Sequence, residues 1–110
     1  MREGIQKAGR IAAIALASTL VIGGSAKLPT AEVKIDNFSF GPVLLTVAVG
    51  TEVTWTNRDD IPHTIVADDK TFKSKALDTD ETFSYTFDKP GTYPYFCSIH
   101  PHMTGRIVVQ

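Results

Sequence analysis

Thr82-Phe83-Ser84-Tyr85-Thr86-Phe87 is followed by Lys89-Pro90-Gly91 and then by Thr92-Tyr93-Pro94-Tyr95-Phe96-Cys97. Aromatic side chains at 83, 85 and 87 alternate with hydroxyl residues at 82, 84 and 86. That period of two suits a strand buried on one face. Pro90-Gly91 supplies a turn, so the stretch reads strand, turn, strand. Pro94 has no N–H to offer a neighbour, which puts the second strand at a sheet edge or at a bulge there. Tyr93, just past the turn, is placed for a tyrosine corner, its hydroxyl bonding back to the preceding loop.

The same period extends upstream. Val33 and Ile35, then Leu45, Val47 and Val49, then Val53 and Trp55 each alternate with neighbours of the opposite face. His63 to Ala67 and Arg106 to Val109 complete the set of strands. Gly41-Pro42, Gly50, Asn57 to Asp60 and Asp68-Asp69 separate them with turn chemistry. Thr71 to Asp80 is the least regular stretch and reads as a connection with room for one short strand. No window past residue 30 carries a helical stripe. Seven to eight short strands at this spacing predict an all-β fold, a Greek-key antiparallel β-sandwich.

With 110 residues there is room for one domain. The 11 basic residues nearly balance the 12 acidic ones, so nothing in the charge points to nucleic acid or an anionic membrane surface. The start is different in character. Arg2, Lys7 and Arg10 precede an apolar run from Ile11 to Ile22, interrupted only by Ser18 and Thr19, and Gly24-Ser25-Ala26 follows. This is the pattern of a secretory signal with a helical apolar core. The run is shorter than the ~20 residues that span a bilayer, which favours cleavage, an uncleaved anchor being the competing reading. We therefore expect a signal peptide over 1–26, a mature domain over 27–110, and a periplasmic or otherwise exported monomer. Small exported domains commonly rely on disulfides. This chain has a single cysteine, so its thiol needs another explanation.

The explanation lies in Cys97-Ser98-Ile99-His100-Pro101-His102-Met103-Thr104-Gly105. Potential metal donors crowd this turn between two strands, and Pro62-His63-Thr64 sets the remaining histidine at the mouth of another. Thiolate and thioether are soft ligands, whereas imidazole suits several first-row ions. Two histidines and a cysteine in a trigonal set, with a distant methionine, is the pattern of a copper electron-transfer site. Zinc is a poorer fit because methionine rarely ligates it. An enzyme using Cys97 as nucleophile lacks an evident oxyanion hole and leaves Met103 idle. His102 is the ambiguous donor, expected in solvent. The acidic pairs Asp59-Asp60, Asp68-Asp69 and Asp80-Glu81 read as solvated turn residues.

From Val33 to Val109 the chain resembles the cupredoxin family, its amicyanin and plastocyanin branches in particular. The resemblance is carried by Gly50-Thr51-Glu52-Val53-Thr54-Trp55-Thr56-Asn57, by Pro62-His63, by Pro90-Gly91-Thr92-Tyr93 and by Cys97-x2-His100-x2-Met103. It implies an eight-stranded Greek-key sandwich with one copper ion held at one end by His63, Cys97, His100 and Met103. It also implies that His100 reaches the surface through an apolar patch where redox partners such as a dehydrogenase or a c-type cytochrome dock. Such a protein is an electron carrier and no enzyme, the alternative being copper storage, delivery or resistance at the same site. Two positions depart from the close relatives, which commonly have Asn where Thr64 stands and Pro where Ile99 stands. The hydroxyls of Thr64 and Ser98 are expected to replace the cross-loop bond that the Asn provides.

Overall fold

The computed structural model describes residues 28–110. The segment read as a signal, 1–26, lies outside the described residues. Eight strands form: β1 Thr30–Asp36, β2 Ser39–Gly41, β3 Leu44–Val47, β4 Thr51–Asn57, β5 Val66–Ala67, β6 Thr82–Phe87, β7 Gly91–Phe96 and β8 Thr104–Val109. They make two four-stranded sheets, in the orders β2-β1-β4-β6 and β3-β8-β7-β5. The all-β sandwich is as expected, but the sheets are mixed. β1 runs parallel to β4 and β3 parallel to β8, while the other pairings are antiparallel. Alternation of side chains reports which face is buried and is blind to strand direction, which is why the sequence reading missed this.

The alternating residues close the sandwich. Val33, Ile35, Val53, Trp55 and Phe87 are buried from one sheet, and Val47, Ala67, Tyr95, Ile107 and Val109 from the other. Trp55 joins the layers, its ring edge-on to Tyr95 at 5.4 Å. Burying such large aromatic surfaces against each other is worth several kcal/mol per side chain, on the order of 3–5 by truncation.

Two stretches are more irregular than the pattern implied. The strand expected over His63 to Ala67 shrinks to Val66–Ala67, with His63 held by an isolated bridge to Leu77. β3 ends at Val47, and Val49 is exposed beyond it. Thr71 to Asp80 is a connection with no strand of its own, tied by single bridges at Lys73 and Leu77 and by scattered backbone hydrogen bonds. The strand with Pro94 is not at a sheet edge, since β7 lies between β8 and β5. But β5 pairs only with Tyr95 and Phe96, so Pro94 stands just past the end of that ladder, its carbonyl accepting the Asp68 N–H at 2.9 Å. The Tyr93 hydroxyl donates to the Lys89 carbonyl at 2.9 Å, the expected tyrosine corner.

Candidate metal centre

Cys97 follows the last residue of β7 and Met103 precedes the first of β8, so a short loop spans neighbouring antiparallel strands. The loop is closed by its own backbone. Cys97 N–H donates to the Met103 carbonyl at 3.1 Å and Met103 N–H to the His100 carbonyl at 2.9 Å. Cys97 is fully buried and Met103 only 6% exposed, while His100 is half-buried and Ile99 and His102 are exposed.

His63 arrives from a separate segment, the connection after β4. Reciprocal backbone hydrogen bonds with Leu77, at 3.1 and 2.7 Å, hold its backbone. Asn57, buried at the end of β4, braces the loop before it: its Nδ2 donates to the carbonyls of Ile61 and Leu77. Its Oδ1 accepts the Asp59 N–H.

The donor atoms of His63, Cys97 and His100 all lie within 4.8 Å of one another. Nδ1 of His63 and Nδ1 of His100 are each 3.8 Å from Cys97 Sγ. Metal bonds of ~2.3 Å to sulfur and ~2.0 Å to nitrogen, about 120° apart, would space sulfur and nitrogen by about 3.7 Å. The three donors are therefore spaced for one ion in a trigonal setting, and the soft sulfur with two imidazoles fits copper. His102 is outside the cluster. Met103 is buried at the base of the same loop.

Electrostatics favour the ligating form of the thiol. Burial pushes the Cys97 pKa up, but hydrogen bonds from the Thr64 N–H, His63 and His100 outweigh it. The thiol is held well below its ordinary value, at about 6. Thr64 N–H points at Sγ from 3.4 Å. The Thr64 hydroxyl accepts the Ser98 N–H at 2.7 Å and shares a 2.8 Å hydrogen bond with the Ser98 hydroxyl. The expected replacement for the cross-loop bond is present.

Asp59 is the residue that the sequence reading missed. Its side chain is only 11% exposed, and Oδ2 lies 2.8 Å from His63 Nε2. A carboxylate there accepts the Nε2 proton, so Nδ1, which faces Cys97 and His100, is the nitrogen left for a metal, and without one an Nδ1–H donates to Sγ. Desolvation raises the Asp59 pKa, but bonds from the Phe38 N–H, His63 and the Asn37 N–H more than offset it, and the carboxyl is held below its ordinary value. The signal in the sequence was the i, i+4 spacing to His63, which a turn rich in acids disguised.

A family profile described as a cupredoxin-like domain matches residues 9–109. The chain belongs to the cupredoxin-like family. Among cupredoxin relatives, amicyanin-alpha of Methylorubrum extorquens is 32% identical, over 94% of this chain and 95% of its own length. A solved relative described as a novel purple cupredoxin from Nitrosopumilus maritimus superposes with a TM-score of 0.69. It is 34% identical, over 73% of this chain and 99% of that one. A methionine-to-alanine variant of amicyanin, described as Cu(I), gives 0.69 at 34% identity, over 74% of this chain and 82% of that one. The cupredoxin fold and the copper-compatible donor cluster thus coincide in one chain.

Proposed function

We propose that this cupredoxin is a small exported electron carrier in which His63, Cys97, His100 and Met103 would hold one copper ion. The observation that carries the reading is the mutual spacing of the three donor atoms, already set by backbone and hydroxyl hydrogen bonds. Copper bound there supplies a one-electron couple between its +1 and +2 states. The chain's own part is to hold one compromise geometry for both, so that little rearranges when the charge changes. Cys97 is fastened through Thr64, His63 through Asp59 and Leu77, and the loop through its own backbone bonds. Such bracing favours a carrier over a storage or delivery protein, which must release its ion.

Half-buried His100 beside Ile99, itself 47% exposed, offers the route by which electrons enter and leave. An apolar rim there suits transient docking of redox proteins, of which a dehydrogenase and a c-type cytochrome are the partners we propose. The N-terminal segment 1–26 is proposed as the export signal, and the mature domain 27–110 as a monomer. Among the described residues no helix is long and apolar enough to cross a membrane. Adding Cu(II) to the purified mature domain should produce an intense thiolate-to-copper visible band and the matching EPR spectrum, both lost in Cys97→Ser. A colourless wild-type protein would overturn the reading.

A further inference from the structure

β1 and β2 are joined by a turn whose central residues, Asn37 and Phe38, both have positive φ, 52° and 58°. Such hairpin turns favour Asn followed by Gly. Asn37 fits, whereas a side chain at Phe38 is strained in that left-handed conformation. Core burial does not explain the phenylalanine, which is 49% exposed. Its ring instead stands edge-on to both histidines, 5.5 Å from His63 and 5.1 Å from His100, at 89° and 85°.

The turn is tied from below by Asp59. Oδ1 accepts the Asn37 N–H at 2.7 Å and Oδ2 the Phe38 N–H at 2.9 Å. The Oδ2 that receives Phe38 also meets His63 Nε2. One carboxylate therefore couples the imidazole of a donor residue to the turn that carries the ring across it. An exposed aromatic residue in a backbone conformation that disfavours it, fastened by a nearly buried carboxylate, is strain kept for a purpose.

Resting on the copper reading above, we propose that Phe38 is an apolar cover over the His63–His100 pair and that Asp59 is the positioning residue that holds it shut. The cover limits how fast a competing chelator strips the ion and keeps water from hydrating the site. The oxidised site carries one more positive charge than the reduced one, so excluding water favours the reduced form and raises the potential.

The test compares wild type with Phe38→Gly, Phe38→Leu and Asp59→Asn. In copper-loaded protein, the rate of Cu(II) extraction by EDTA and the reduction potential are read. In apo-protein, amide hydrogen exchange at Asn37 and Phe38 is read. Glycine suits the turn better than phenylalanine, so a purely structural role predicts no loss of copper retention. A cover predicts extraction faster by about tenfold and a lower potential in Phe38→Gly, with Phe38→Leu staying close to wild type. Asp59→Asn should speed exchange at both amides by about tenfold, as expected for losing a charge-assisted bond, and should speed extraction too. Extraction and potential unchanged in Phe38→Gly, or Phe38→Leu as leaky as Phe38→Gly, overturns the cover. Unchanged amide exchange in Asp59→Asn overturns the clamp. A wild type with no blue band refutes the copper reading instead, and the apo-protein exchange then still decides the clamp.

Discussion

Thr64 shows how much a single hydroxyl carries at the donor cluster. Its Oγ1 accepts the Ser98 N–H and meets the Ser98 hydroxyl, while its backbone N–H points at Cys97 Sγ. Thr64→Val keeps the shape and the backbone donor but strands the Ser98 N–H. We expect a loss of about 1 kcal/mol in apo stability and copper binding weakened by roughly fivefold, since 1.4 kcal/mol is a factor of ten. Thermal unfolding and a competitive copper titration would measure the two, and values equal to wild type would remove Thr64 from the bracing. The hydroxyl pair was legible in sequence because a family position was visibly altered. Asp59 was not, because its neighbours at 60, 68, 69, 80 and 81 are equally acidic and the fold buries only some of such residues. Burial and the partner ring, neither written in the local pattern, distinguish it.

Between elements, the pairing of β7 with β8 aligns the donor loop. Gly105 stands opposite Tyr95 in that ladder, and a Cβ added there would run into the Tyr95 ring and hydroxyl. Tyr95 is itself buried against Trp55 and Phe40, so its ring shifts only by disturbing them. Gly105→Ala should therefore cost about 1–3 kcal/mol, the usual range for overpacking. A chemical denaturation midpoint within error of wild type would show that the sheet yields instead. The copper band of the variant is informative as well, because Cys97 and Met103 lie just beyond this pair on the two strands. The strand register gives Gly105 its task, to leave room for a ring that arrives from the neighbouring strand.

For the molecule as a whole, the thiol links stability to pH. Unfolded, a cysteine holds its proton below about 8.5; folded, Cys97 holds it only below about 6. Between those values the unfolded chain binds more protons, so apo-protein stability rises with pH through that window. The contribution is complete above about 8.5 and is lost as pH falls through about 6. Thermal melts of the apo-protein across this range should show the slope, and Cys97→Ser should lack this part of it. Equal slopes in the two proteins would mean that the hydrogen bonds to Sγ do not lower its pKa.

Alternation of apolar and polar residues determined which faces meet, hence the sandwich and its core of Trp55, Tyr95 and Phe87. Local spacing around Cys97 determined the donor loop, because those residues are neighbours in the chain and need little else to converge. Parallel pairing of β1 with β4 and of β3 with β8 was decided only in three dimensions, since a strand buries the same face in either direction. So was the convergence of His63 on Cys97 from 34 residues away. The Asp59 link to the Phe38 turn was decided there too. Each depends on contacts between segments far apart in sequence, whose geometry comes from packing the two sheets together rather than from any periodicity along one strand.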